Sequence, residues 1–325
     1  MRVCGRRKSL VCAWLAVFAL ALGGHAAATA SEQGPPKHPE VKQTETKESP
    51  HPALWKLVNG KSIVYLLGSI HVLPVNFPWR TPAIDQAIGA ADVFAFETNL
   101  DFATAELHYF IDNYGYLSRG QTLHAMLSPV ALKQYVALIE DMHLDPNKLD
   151  YLRPGLAGLT LQNTYLATHA SQKLGPGVDA ALINYAKSHS KELRYLESLQ
   201  SQFALLDTLG GGAEVQVFEK MLAALGKNNG GPQGLLAAWA KGDLPKLVSV
   251  DDKDPSQRVL LLDNRNNAWL PKIEAMLKEP RTYLVTVGAA HLAGPNSVIN
   301  LLCTKGWKVE RVQTGPTPPP PACGT

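Results

Sequence analysis

The chain has 325 residues, 46% of them hydrophobic and 18% charged, which excludes global disorder and leaves room for one large domain or two small ones. Its formal charge of +3 belongs to the first eight residues, where Arg2, Arg6, Arg7 and Lys8 stand, and no acid occurs before Glu32. Beyond residue 30 there remain 27 cations and 28 acids, so the charge gives no ground for a nucleic-acid or membrane-surface partner.

Residues 1–30 read as a secretory signal peptide. A basic start is followed by a thirteen-residue apolar stretch, Leu10 to Leu22, and by Ala28-Thr29-Ala30 as a cleavage pattern before Ser31. The stretch is short for a bilayer span, and an uncleaved anchor helix is the alternative. Cys12 follows Val11 rather than a small residue, so no lipoprotein signal is read. No later segment offers ~18 uninterrupted apolar residues, and the mature protein is expected in the periplasm, with an extracellular location as the alternative. Cleavage leaves Cys303 and Cys323. In an exported chain these form one disulfide or remain two free thiols. There is no C-x-x-C to suggest redox chemistry or a cysteine zinc site.

Residues 31–52, with Pro35, Pro36, Pro39 and Pro50 among alternating Lys and Glu, read as a disordered linker. The folded unit is expected over 53–314. It opens on a hairpin, Leu54-Trp55-Lys56-Leu57-Val58 and Ile63-Val64-Tyr65-Leu66-Leu67, around Asn59-Gly60, the preferred pair for a type I′ turn. Thr81-Pro82 starts a helix with Ile84, Ala87, Ile88 and Ala91 on one face. Val93-Phe94-Ala95-Phe96 is a short strand ending at Glu97. Ser128-Pro129 caps a helix carrying Leu132, Tyr135, Val136, Ile139 and Met142. Further helical patterns cover 156–170, 179–190, 199–209, 214–226, 233–241 and 256–278, and the strand Leu193-Arg194-Tyr195-Leu196 precedes Glu197. The Gly-rich patches at 210–212 and 230–231 lack phosphate-loop spacing and read as helix connections. Tyr283-Leu284-Val285-Thr286-Val287 is a strand, a helix is expected over 295–305, and Trp307 to Val312 forms a last strand before a Pro-rich tail over 315–325. The order predicts an α/β (α+β) fold, a small central mixed sheet with a large helical insert.

One local pattern occurs twice. A strand runs into Gly68-Ser69-Ile70-His71 and another into Gly288-Ala289-Ala290-His291, both G-x-x-H, while Glu97 ends a third strand. Gly68 and Gly288 let the backbone turn sharply or approach a ligand closely. If the strands run parallel, His71, Glu97 and His291 meet over one sheet edge, where pockets form in open α/β sheets. Two imidazoles and a carboxylate suit a divalent metal with open positions, which lowers the pKa of bound water. A metal-free alternative makes a histidine the general base for water, oriented by Glu97. No H-E-x-x-H or G-x-S-x-G occurs, which excludes zincin proteolysis and the α/β-hydrolase serine. Ser69 reads as a turn residue or as a donor to the site. Asp179, after Gly177 at a helix start, caps that helix or contacts metal or substrate. Glu197, which follows a short strand as Glu97 does, reads as a structural or helix-entry residue, with a further ligand as the alternative. His108, His124, His143, His169 and His189 read as surface or core residues.

Together, Leu66-Leu67-Gly68-Ser69-Ile70-His71-Val72, Phe96-Glu97, Gly177-Val178-Asp179, Arg265-Asn266 with Trp269, Val287-Gly288-Ala289-Ala290-His291-Leu292 and Gly294-Pro295 resemble the TraB/GumN family, related to the Tiki proteases and more distantly to the erythromycin-esterase and ChaN-like proteins. The resemblance covers about 54–312. It implies a hydrolase-like fold whose site is the paired G-x-x-H histidines with a glutamate. In the Tiki branch it implies a metalloprotease using manganese or cobalt; for this chain the metal stays open among manganese, cobalt and zinc. Arg265 and Asn266 are expected to position substrate, Arg265 by clamping a carboxylate, with a salt bridge to the helical insert as the alternative. The expected function is metal-dependent hydrolysis of a peptide or another small amide or ester. The alternatives are a non-catalytic envelope protein binding a peptide, a polysaccharide fragment, haem or metal, and a scaffold using the insert and the tail for partners.

Overall fold

The computed structural model describes residues 49–99, 109, 111–169, 173–198, 200–201, 212–225, 231–249, 258–317, 319 and 322–323. The expected signal peptide, most of the linker, nearly all of the helix expected over 199–209 and part of the tail lie outside these residues.

The first hairpin pairs β1 (Leu54–Asn59) with β2 (Ser62–Ser69). Its register joins Asn59 to Ser62, so the two turn residues are Gly60 and Lys61, one position later than expected. Gly60 has φ +58, and Lys61 is not among the residues with positive φ. Positive φ at the first turn residue alone is the type II′ pattern rather than I′, and glycine there meets it without strain. After β3 (Val72–Pro74), Thr81 accepts a hydrogen bond from the Ile84 N–H and Pro82 opens α1 (Pro82–Ala90), which buries Ile84, Ala87 and Ile88. The chain continues with β4 (Val93–Phe96).

The helical insert follows as α2 (Leu123–Met126), α3 (Pro129–Asp141), α4 (Pro146–Leu149) and α5 (Pro154–His169). With α7 (Gly212–Leu225) it has its own core, including Leu123, Tyr135, Leu138, Leu161, Phe218 and Leu222. Between α5 and α7 the chain returns to the sheet through β5 (Leu174–Pro176), α6 (Val178–Ser188) and β6 (Glu192–Tyr195). Then come α8 (Gly231–Ala240), α9 (Leu244–Ser249), a π-helical turn over Val259–Asp263 and α10 (Asn264–Met276). The single helix expected over 256–278 is thus divided at the π turn. The end is β7 (Thr282–Gly288), a 3₁₀ turn over Ala289–Leu292, α11 (Val298–Thr304) and β8 (Glu310–Val312).

Six strands form a mixed sheet in the order β6-β4-β7-β2-β1-β8, and β3 with β5 forms a separate two-stranded sheet. The middle of the large sheet is parallel: β2 pairs β7, β7 pairs β4 and β4 pairs β6. Of these, β2, β4 and β7 are nearly continuous apolar runs because helices cover both faces, whereas the edge strand β6 carries Glu192 and Arg194. Tyr65, Leu67, Phe94, Phe96 and Leu284 pack against α1, α6 and α8. Val64, Leu66, Ala95, Tyr283 and Val285 pack against α10 and α11. The last strand is shorter than expected because Trp307 leaves the ladder. Its indole packs against the core and donates to Glu274 at 2.9 Å. Cys303 and Cys323 are joined in a disulfide that holds the tail against the same core.

Candidate functional site

Because β2, β7 and β4 are parallel neighbours, their carboxyl ends lie on one edge, with Ser69 opposite Gly288 and Phe96 opposite Thr286. The two G-x-x-H turns touch there. A Cβ on Gly68 would stand 3.1 Å from the Ala289 Cα, so the chain packs tightly against itself at this glycine. Its carbonyl accepts from the Trp239 indole at 2.8 Å. Gly288 donates its N–H to Oε1 of Glu97 at 2.6 Å, and a Cβ there would come within 3.2 Å of the same oxygen. Both glycines, read in the sequence as allowing a sharp turn or the close approach of a ligand, are approached here by their own protein.

His291 is 4% exposed at its side chain. Its Nδ1 faces Oδ1 of Asn266 at 2.6 Å and its Nε2 faces Nη1 of Arg265 at 3.0 Å. The amide of Asn266 is fixed in turn by donating to the Asn296 carbonyl at 2.8 Å. This pattern makes His291 a neutral ring, donating at Nδ1 and accepting at Nε2. Burial is the largest influence on it and lowers its pKa to about 4. Asn266 is fully buried and holds the ring rather than substrate.

Arg265 is the hub. Nη2 donates to Oε2 of Glu97 at 2.6 Å, Nε donates to both oxygens of Glu197 at 3.2 Å, and Nη1 meets His291. Its guanidinium lies 4.8 Å from the Trp269 ring, which packs tilted against His291 with ring centres 4.4 Å apart and donates its N–H to Glu197 at 3.2 Å. A π turn over Val259–Asp263 lies just before α10, the helix that carries Arg265, Asn266 and Trp269; such turns recur at functional sites. Every guanidinium nitrogen is engaged by the protein itself. The expected substrate clamp is therefore not what the geometry shows, and the carboxylates it meets follow β4 and β6 rather than lying on the insert. Burial would raise the Glu97 carboxyl; His291, Arg265, the Gly288 N–H and His71 outweigh it and hold it at about 2. The share from His291 exists only when that ring is protonated, so at neutral pH Arg265 and Gly288 are the main restraints.

His71 stands apart from this packed group and is coupled to it electrostatically, feeling both Glu97 and Arg265. Its Nδ1 lies 3.0 Å from Oδ2 of Asp179. The charge of Asp179 and that hydrogen bond raise His71 to about 9. The ring is 69% exposed, so solvent screens part of the pair's attraction. Asp179 reaches His71 because α6 starts against the first G-x-x-H turn. Gly177 donates to the His71 carbonyl at 2.9 Å and Val178 donates to the Ile70 carbonyl at 3.0 Å. The capping residue is Gly177, and Asp179 lies in the first turn, leaving its carboxylate for the histidine. The Ser69 hydroxyl is buried without a hydrogen-bond partner and donates to none of these groups.

Two members carry more than the sequence assigns them: Glu197, read there as structural or helix-entry with a further ligand as the alternative, and Trp269. Glu197 follows β6 as Glu97 follows β4, and β6 lies beside β4, so the repeated strand-then-Glu text was the available signal. Trp269 sits four residues after Arg265, one helical turn along the same face. The remaining described histidines stay outside the cluster: His51 faces the Ser49 carbonyl, His124 pairs with Asp150, His169 stacks on Tyr165, His189 stacks on Tyr185 and His143 lies after α3 with φ 52. His108 is outside the described residues.

The family model described as TraB/PrgY/gumN family matches residues 53–311. The chain belongs to this family. Among curated proteins, this TraB/PrgY/gumN member is 26% identical over 269 residues to the uncharacterized protein YbaP of Escherichia coli strain K12, covering 77% of this chain and 92% of YbaP. YbaP of Shigella flexneri matches to the same extent. Metalloprotease TIKI1 of Danio rerio is 24% identical over 306 residues, covering 77% of this chain and 61% of TIKI1. No solved structure gives a significant match.

The name of TIKI1 raises the question of a metal, and the donor set answers it for this arrangement. Nε2 of His291 and Oε1 of Glu97 lie 3.7 Å apart, a spacing two ligands of one ion can have. The Arg265 guanidinium, however, already engages His291 Nε2 and Glu97 Oε2. Among the described residues no group of three or more His, Cys, Asp or Glu is disposed to hold an ion. His71, Glu97 and His291, expected as a ligand set, do not fit a divalent metal as they stand. Among the described residues, no helix is long and apolar enough to cross a membrane.

Proposed function

We propose that this TraB/PrgY/gumN-family chain is an exported hydrolase of amide or ester bonds, acting in the periplasm, with His71 as its general base and acid. The single observation behind this reading is the Asp179–His71 pair at 3.0 Å. Asp179 fixes the Nδ1–H tautomer and leaves Nε2 of an exposed ring directed away from the carboxylate, the arrangement that suits proton transfer to and from a reacting group.

In its neutral form, Nε2 of His71 takes a proton from water as the water oxygen bonds to the substrate carbonyl carbon. The protonated ring then gives that proton to the leaving nitrogen or oxygen as the old bond breaks. Asp179 stabilises the cationic ring between the two steps. The packed group of Glu97, Arg265, Glu197 and His291 forms the rigid, charged floor beside it. No step passes through a metal. Peptides are the substrate class supported by the similarity to Metalloprotease TIKI1.

The test uses the chain from Ser31 onward, with fluorogenic peptide and ester mixtures. Wild type should turn over at least one class, and His71→Ala should lose about 100-fold or more. Equal turnover by wild type and His71→Ala would remove the proposal.

A further inference from the structure

We infer that Arg265 is the resident cation of this site: its guanidinium stands in the space a divalent ion would need, the native chain takes up no metal there, and removing the guanidinium opens a latent metal site made by Glu97, Glu197 and His291. The inference places its metal-free condition on the same site as the proposed hydrolysis, but its test reads binding and not turnover.

Three donors converge on one group. Oε2 of Glu97, the carboxylate of Glu197 and Nε2 of His291 all lie within hydrogen-bond distance of the same guanidinium. They meet it at different nitrogens, so the guanidinium stands between them and holds them apart, and the three could close on one ion only after it is removed. One neutral imidazole and two carboxylates are a nitrogen–oxygen set suited to zinc or manganese. Each donor also has the outer partner that metal ligands characteristically have: Asn266 on His291, the Gly288 N–H on Glu97 and the Trp269 N–H on Glu197. What separates this from a metal centre is the fourth component, a permanently charged guanidinium.

That guanidinium is not a loose occupant. It is bound through all three nitrogens, lies against the Trp269 ring and belongs to a helix whose neighbouring residue, Asn266, is fully buried. An ion entering the space would have to break these contacts and approach a fixed positive charge a few ångströms away, which opposes it electrostatically. The two carboxylates are better explained as counter-charges to Arg265 than as ligands awaiting a metal.

The experiment compares the mature wild-type chain with Arg265→Met, which keeps most of the side-chain length and removes the charge. Each is stripped with chelator, titrated with zinc or manganese by calorimetry, and assayed for metal after dialysis. Wild type should bind no stoichiometric ion at the cluster. Arg265→Met should gain one equivalent, lost again in Arg265→Met/His291→Ala. Folding is checked by circular dichroism. A wild-type chain that holds one equivalent, released by His291→Ala, would overturn the inference, as would a folded Arg265→Met chain that binds none. If Arg265→Met does not fold, wild-type melting in zinc decides. An unchanged midpoint supports the inference, and a rise abolished by His291→Ala overturns it. A chain without hydrolytic activity but with these binding results would refute the proposed reaction alone.

Discussion

Oδ2 of Asp179 lies 3.0 Å from Nδ1 of His71, although 108 residues separate them in the chain. The pair raises His71 to about 9, so the ring is mainly cationic at neutral pH and the neutral, base-competent form gains with alkalinity. Hydrolysis should therefore rise with pH, reach half its plateau near 9 and level off above it. In Asp179→Asn the midpoint should move down toward the ordinary histidine value of about 6.5, with a lower plateau because the tautomer is no longer fixed. Initial rates from pH 5 to 10 measure both changes.

The same pair depends on a glycine. A Cβ on Gly177 would lie 1.9 Å from the Ile70 carbonyl oxygen, so Gly177→Ala must push α6 away from the His71 turn. We expect a loss of at least about 2 kcal/mol in urea unfolding, together with the acidic shift of the rate profile seen in Asp179→Asn. Ala at Gly89, where a Cβ meets nothing within 4 Å, should leave the profile unchanged.

His291 gives a second pH signature, of opposite origin. Burial lowers it to about 4, so between pH 6.5 and 4 the unfolded chain binds the proton that the folded chain refuses. Stability from this group is complete above about 6.5 and is lost as pH falls through that window, by up to about 3 kcal/mol. Glu97, held at about 2, adds a further loss below about 4.5. Unfolding free energies at pH 7 and 4.5 should differ markedly in wild type and much less in His291→Gln; parallel profiles would contradict a buried neutral ring.

Glu197 is expected to matter for folding through Arg265. Replacing it by Gln leaves a mostly buried guanidinium with one carboxylate fewer and also weakens the acceptor of the Trp269 indole. Removing one partner of such a pair costs about 3 kcal/mol, read as a lower midpoint in thermal or urea unfolding. The loss should shrink when Glu197→Gln is combined with Arg265→Met, because the cation it balances is then gone.

The parts of this arrangement that were legible in the sequence share one cause. Residues at the ends of apolar strands are placed by the strand, and parallel pairing of β2, β7 and β4 then brings Gly68, Gly288 and Glu97 to one edge. Contacts made by turns and helix phase were not legible. The three-residue strands β3 and β5 have too few residues for a period, yet their pairing carries Gly177 to the His71 turn. The π turn interrupts a pattern that reads as one continuous helix. The partner choice of Arg265 also depends on three-dimensional competition: nothing in Arg265-Asn266 indicates that the guanidinium meets Glu97 and Glu197 rather than a substrate. Glu197 carried the same strand-then-Glu signal as Glu97, but without the order of β6 beside β4 it could not be distinguished from an ordinary helix-entry carboxylate.

The claim that His71 belongs to one electrostatic site with Asp179 and Glu97 is tested most directly by NMR titration of the His71 ring in the mature chain. The predicted midpoint is about 9, falling in Asp179→Asn and to a smaller extent in Glu97→Gln. A midpoint near the ordinary histidine value, unmoved by either substitution, would contradict the account.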